Sequence, residues 1–277
     1  MLDKEMIRDP REWQLVIEAG VDTLSVMMFS QREHQSLIYR EIPLARDISP
    51  LRAFQDAVYD NPLLLGDFGR TTLLIPSRRV VVTPDILDDD SRRETYLSAF
   101  PPATADTPEE MITETLPDLH TVITMGVDRE FAGFARRTFN NPALRHTLTP
   151  TALYFKSKHP GAARGKMIAN LRPDRCDIVM LGEHAPQVIN SYPTRDPMDA
   201  LYYIMACRQV YGLLPSDELI LAGDTATRAA VTPQLRRFIR YVIPAILPAS
   251  MFRAGRDALR APFEVTVTPL TGQQLTQ

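Results

Sequence analysis

Apolar residues in this chain fall into short continuous runs separated by turns rich in Pro, Gly, Asp and Arg, and these alternate with stretches of helical periodicity. The pattern is sharpest between Lys166 and Pro248. Lys166 to Leu171, Cys176 to Leu181 and Gln187 to Ser191 predict a three-strand meander, turning at Arg172-Pro173-Asp174 and Gly182-Glu183-His184. A helix capped by Thr194 or Asp196 follows, with Met198, Leu201, Ile204, Met205 and Val210 on its apolar face and Gly212 at its end. Leu219 to Ala222 is continuous rather than alternating, as in a strand buried on both faces, and it stops at Gly223-Asp224. Pro233 predicts a further helix through Arg240, and the tail after Arg253 carries one strand-like segment, Phe263 to Val267.

The same order is traceable, more faintly, upstream. Leu24 to Phe29 and Ser36 to Ile42 predict a strand pair, and Ser49-Pro50 opens a helix with Leu51, Phe54, Ala57 and Val58 on one face. Strands are expected at Thr71 to Ile75, Val80 to Val82, Thr121 to Met125 and Leu144 to Leu148. Helices are expected at Arg92 to Phe100, Asp128 to Asn140 and from Thr149-Pro150 to Lys158. Residues up to Gly20 read as a polar leader or short helix, with Trp13, Val16 and Ile17 as a docking stripe; Pro101 to Pro117 reads as an exposed loop. Two such units predict an α/β protein of two RNase-H-like lobes, the bilobed architecture of actin and sugar kinases. The first spans residues 1–160, diverged and with an acidic, Pro-rich loop at 101–118, and the second 161–277, joined through a hinge at Gly161 to Gly165.

Composition narrows the class. With 277 residues, 44% apolar and 23% charged, the chain can bury substantial cores. A net charge of −3 gives no global footprint for nucleic acid. Cys176 and Cys207 lack metal or redox spacing and read as buried free thiols. No apolar run approaches the ~20 residues that span a bilayer, so a cytoplasmic protein is expected.

At Asn190-Ser-Tyr-Pro193, Asp199-Ala-Leu-Tyr-Tyr-Ile204, Leu219 to Asp224 and Phe238 to Val242 the chain resembles an uncharacterised bacterial family, a domain of unknown function. That family has an actin-like, RNase-H-like fold related to pilus-assembly actin-like proteins. Thr83-Pro84-Asp85-Ile-Leu87 matches it more loosely. The resemblance implies a fold and a bacterial origin and brings no activity.

Actin-like ATPases grip phosphates with Gly- and Asp-containing turns between the first two strands of each lobe, where open backbone N–H groups approach the anion. The turns expected in that role are Ser30-Gln-Arg-Glu-His34 and Arg172-Pro-Asp-Arg175; neither has Gly, and Pro173 lacks a donor. Asp174, Gly223 and Asp224 are the candidates for residual nucleotide contact. No phosphate-loop or dinucleotide motif is present, and five scattered histidines show no zinc spacing. Tyr192, Tyr202, Arg236 and Arg240 are candidate partner-binding residues, the arginines on a basic helical face with Tyr241 beside it.

The expectation is a degenerate actin-like module that binds a protein or itself, without catalysis, cofactor or metal. The alternatives are an ATP-binding enzyme or switch with diverged phosphate loops and an RNA-associated accessory factor.

Overall fold

The computed structural model describes residues 2, 6–30, 36–100, 108–159, 165–182, 186–248, 251 and 256–271. Two five-stranded mixed sheets carry the chain. In the first, β1 (Gln14–Ala19) lies between β2 (Thr23–Phe29), which pairs antiparallel with it, and β4 (Arg70–Ile75), which pairs parallel. β3 (Leu37–Pro43) extends the β2 edge and β8 (Ala143–His146) the β4 edge, giving the order β3-β2-β1-β4-β8. In the second sheet β9 (Lys166–Leu171), β10 (Arg175–Leu181), β11 (Pro186–Pro193), β12 (Glu218–Gly223) and β13 (Tyr241–Pro244) repeat that order as β11-β10-β9-β12-β13. The parallel and antiparallel senses match strand for strand. The molecule thus has two RNase-H-like lobes.

Helices occupy matching places. α1 (Pro50–Tyr59) follows the third strand of the first lobe and α5 (Pro197–Val210) that of the second. Each has an N-cap oxygen bonded to the first turn and Pro at its start: Ser49 for α1 and Asp196 for α5. α3 (Arg129–Thr138) and α6 (Thr225–Leu235) precede the last strands, capped by Asp128 and Asp224. Between β4 and α3 the first lobe inserts β5 (Val80–Pro84), α2 (Asp90–Ser98), β6 (Glu109–Leu116) and β7 (Thr121–Asp128), whose strands form a separate antiparallel sheet, β5-β7-β6.

The final helices cross over. α4 (Leu148–Lys158), at the end of the first lobe, packs on β10 and β11 of the second sheet, and α7 (Phe263–Thr271), at the end of the second, packs on β1 and β2 of the first. The two also pack on one another. Strand alternation explains the layering. Leu15 and Ile17 of β1 face Phe54 and Val58 of α1, whereas Val16 faces Val265 of α7. Met167 and Ala169 of β9 face Ala200 and Ile204 of α5, whereas Ile168 faces the α4 side.

Several segments depart from the sequence expectation. The supposed leader holds β1, the central strand of the first sheet, and Trp13, Val16 and Ile17 are core residues. Glu109–Leu116, expected within an exposed loop, is β6. Phe263–Thr271 is a helix, not a strand, because it is enclosed on all sides and its backbone groups must bond internally. α6 starts at Thr225 and ends at Leu235, so Arg236 is its C-cap and Arg240 lies just before β13. The basic helical face expected at Arg236 to Arg240 therefore does not exist. The expected lobe boundary at 160/161 and the hinge at Gly161 to Gly165, apart from Gly165 itself, fall outside the described residues.

Candidate functional site

The junction of the lobes is built from the ends of β1 and β9. Glu18 and Asn170 are equivalent positions: Glu18 pairs with Ser25 of β2, and Asn170 with Asp177 of β10. By alternation both strand ends turn these polar groups away from the outer helices and toward the junction, where Glu264 of α7 meets them. Glu18, Asn170, Asp177 and Glu264 are at most 1% exposed.

Two arginines from the β9–β10 turn bind this acidic set. Arg175 Nη2 lies 2.6 Å from Glu18 Oε1 and 2.7 Å from Glu264 Oε1, and its Nε lies 3.4 Å from Asp177 Oδ2. Arg172 reaches Glu18 at 3.4 Å and Glu264 at 3.3 Å. Asn170 Nδ2 donates to Glu264 Oε2 at 2.8 Å, and Ser191 Oγ donates to Asp177 Oδ1 at 2.6 Å. One guanidinium thus joins a carboxylate of the first lobe to two of the second.

The electrostatics follow from burial. Burial and the neighbouring Glu264 charge push Glu18 up to about 7, against the pull of Arg175 and Arg172. Burial also presses Glu264 upward, but Arg172, Arg175 and the Asn170 amide outweigh it and hold that carboxyl below its usual value. Burial raises Asp177 despite Arg175. Three buried carboxylates face two guanidiniums, so the junction carries no surplus positive charge for an anion.

The turn geometry differs from expectation in the first lobe. Its first two strands are β1 and β2, so the relevant turn is Gly20-Val21-Asp22, not Ser30 to His34; residues 31–34 of the latter lie outside the described residues. This turn does contain Gly and Asp. The Gly20 N–H, however, closes the turn onto the Thr23 carbonyl at 3.1 Å, and Asp22 pairs with Arg46 at 2.8 Å. In the equivalent β9–β10 turn the Arg172 N–H bonds the Arg175 carbonyl at 2.8 Å.

Asp174, Gly223 and Asp224 gather around Arg172. Asp174 is half-exposed and lies 3.3 Å from Arg175 Nη1. Gly223 has φ +87°, and a Cβ there would lie 2.1 Å from the Leu171 carbonyl oxygen and 2.7 Å from Asn170 Oδ1. The residue must be Gly for β12 to lie against β9 at this corner. Asp224 caps α6, accepting from the Thr227 N–H at 2.7 Å and its hydroxyl at 2.8 Å. Burial would raise its carboxyl, but the Thr227 bonds and the Arg172 charge lower it. Each of the three therefore has a structural task in place.

Tyr192 and Tyr202 are brought into one aromatic group. Tyr192 of β11 stacks on Tyr203 with centroids 4.5 Å apart, and Tyr203 meets Tyr202 edge-on at 5.4 Å. Tyr202 is 67% exposed. Arg236 is exposed at the end of α6, and Arg240 sits over the Tyr241 ring at 5.2 Å. Among the described residues no hydrogen bond, ion pair or ring contact joins these arginines to the tyrosine group. Cys176 and Cys207 are buried free thiols. Among the described residues no cluster of His, Cys, Asp or Glu is arranged to hold a metal ion, and no helix is long and apolar enough to cross a membrane.

Sequence reasoning missed Glu18, Arg175, Asp177 and Glu264. For the acids a signal was available: Glu18 within Leu15 to Ala19, Asp177 within Cys176 to Leu181 and Glu264 within Phe263 to Val267 are each the one charge in a segment otherwise fit for burial, which demands a buried partner.

The doubled sheet and crossed helices define an actin-like fold. The chain belongs to the DUF3822 family, proteins of unknown function, which matches residues 5–242. Among solved structures it is similar to a Bacteroides thetaiotaomicron protein with an actin-like ATPase fold and unknown function. That match has a TM-score of 0.76 at 20% identity, covering 88% of this chain and 94% of the other. It is also similar to a chain of the PilM–PilN type IV pilus biogenesis complex, with a TM-score of 0.52 at 10% identity over 95% and 98% of the two chains. No curated protein matches the sequence.

Proposed function

We propose that this protein is a non-catalytic actin-fold module that binds other proteins or itself, its lobes held together by side chains instead of a nucleotide. The observation that carries this reading is the Glu18–Arg175–Glu264 bridge. A triphosphate held between the two hairpin turns needs free N–H donors and excess positive charge. Here the Gly20 and Arg172 N–H groups are consumed within their turns, and both guanidiniums are already neutralised. The PilM relative in fold occurs in a complex with PilN, in keeping with a partner-binding role; Tyr192, Tyr202, Arg236 and Arg240 are the residues proposed to serve one. Residues 1–160 and 161–277 are proposed as the two lobes, in a cytoplasmic protein.

Calorimetric titration with ATP and Mg²⁺, paired with a hydrolysis assay, tests the reading. Neither heat nor turnover is expected. Turnover that Asp174→Ala abolishes would establish the opposing reading, a nucleotide switch, which Gly20 and Asp22 in the first turn favour.

A further inference from the structure

The repeat supplies an internal comparison between outer helices in equivalent places. On α1 the solvent face carries Arg52 and Asp56, an ion pair at 2.9 Å. On α5 the corresponding face carries Met198, Tyr202 and Val210, which are 46%, 67% and 76% exposed. Between Ala200 and Val210 the only charged residue is Arg208, and it is buried, bonded to the Leu214 carbonyl. α6, packed beside α5, adds exposed Ala226, Ala229 and Ala230. A surface helix ordinarily sets polar residues toward water, as α1 does. α5 has apolar residues on both sides.

We propose that this face binds a second copy of the chain, α5 packed antiparallel on α5 across a twofold axis near Tyr202 and Ala206. The inference deepens the reading above and rests on it, naming self-association and its surface. Area is the first argument. The exposed parts of Met198, Tyr202, Val210, Tyr211 and Leu214 come to roughly 500 Å² per copy, or about 1,000 Å² for the pair, which reaches the lower end of specific interfaces before the flanking polar rim is added. Charge is the second. A twofold contact sets each residue against its own copy or near it, so a face with a net sign repels itself. The middle of α5 has no exposed charge, which suits self-pairing and offers nothing to steer an oppositely charged partner. Position is the third. α5 covers the face of the second sheet opposite α4, so the first lobe does not obstruct a second copy. Tyrosines at the proposed axis are residues that anchor interfaces at low entropic cost.

Sedimentation velocity on the full chain at micromolar concentrations tests this. The wild type is expected at twice the monomer mass. Tyr202→Glu places two like charges at the axis and is expected to weaken association at least about tenfold. Gln55→Glu, on the equivalent helix of the first lobe, is expected to leave the mass unchanged. Ala206→Cys, which needs no new charge, is expected to form a disulfide-linked dimer on mild oxidation. A wild type that stays monomeric, or a dimer indifferent to Tyr202→Glu and not trapped by Ala206→Cys, overturns the proposal. ATP turnover by the same preparation would instead overturn the reading beneath it, so the two failures are separable.

Discussion

Glu18 at the end of β1 and Arg175 at the start of β10 meet at 2.6 Å across the two lobes, and neither has appreciable contact with water. A buried ion pair of this kind contributes little against a well-packed apolar substitute, yet breaking it leaves charges stranded. Its location turns a local contact into a constraint on the whole molecule, because the same guanidinium also holds α7 through Glu264.

Arg175→Ala is therefore expected to destabilise the protein by about 3–5 kcal/mol, since Glu18, Asp177 and Glu264 lose their shared cation. Urea unfolding measures it. A loss below about 1 kcal/mol would mean that Arg172 alone suffices.

Two buried groups give opposing pH dependences. Glu18 titrates at about 7 when folded against an ordinary 4.5, so the folded state retains a proton the unfolded chain releases. Its contribution is full below pH 4.5 and is lost as pH rises to 7. His146 is buried, accepts the Leu148 N–H at 3.1 Å and lies 2.8 Å from the Ser77 carbonyl; burial lowers it from 6.5 to about 4. Its contribution is full above pH 6.5 and is lost as pH falls to 4. Relative to Glu18→Gln, the stability of His146→Gln should fall between pH 4.5 and 6.5 by on the order of 4 kcal/mol. Parallel curves for the two variants, measured by urea unfolding at each pH, would refute this.

Gly223→Ala forces a Cβ toward the Leu171 carbonyl from a left-handed backbone. A loss of about 2 kcal/mol or more is expected, with the β9–β12 corner opening first. Amide exchange at Asp224, whose N–H bonds Leu171 at 2.7 Å, reports that opening directly.

Asp224 separates capping from nucleotide chemistry. Asp224→Ala should cost about 0.5–2 kcal/mol of stability and Asp224→Asn much less, because either Asp or Asn can accept from Thr227. Thermal melts check the ranking. Equal losses would show that the negative charge near Arg172, and not the cap, is what matters.

What the sequence disclosed was decided by how each segment is surrounded. The second lobe was legible because β9, β10 and β12 are apolar runs closed by Arg172-Pro-Asp and Gly223-Asp224. β1 was missed because Gln14 and Glu18 break its run, and a carboxylate in a central strand makes sense only beside Arg175. Phe263 to Val267 alternates and is rich in β-branched residues, which favours a strand locally; enclosure between α4 and the first sheet decides for a helix. Pro233 resembles a helix start but lies in the last turn of α6, where Asp224 had already set the beginning. The site suffered most. Its members come from β1, β9, β10 and α7, and only the fold brings residues so distant in the chain to one point.

The exchange of terminal helices bears on how the chain is made. The inner surface of the first sheet, with Val16, Met27 and Leu74, stays bare until Val265 and its neighbours have left the ribosome. Early-synthesised strands must wait through most of translation with a sticky side uncovered, so premature release or stalling should leave fragments that depend on chaperones.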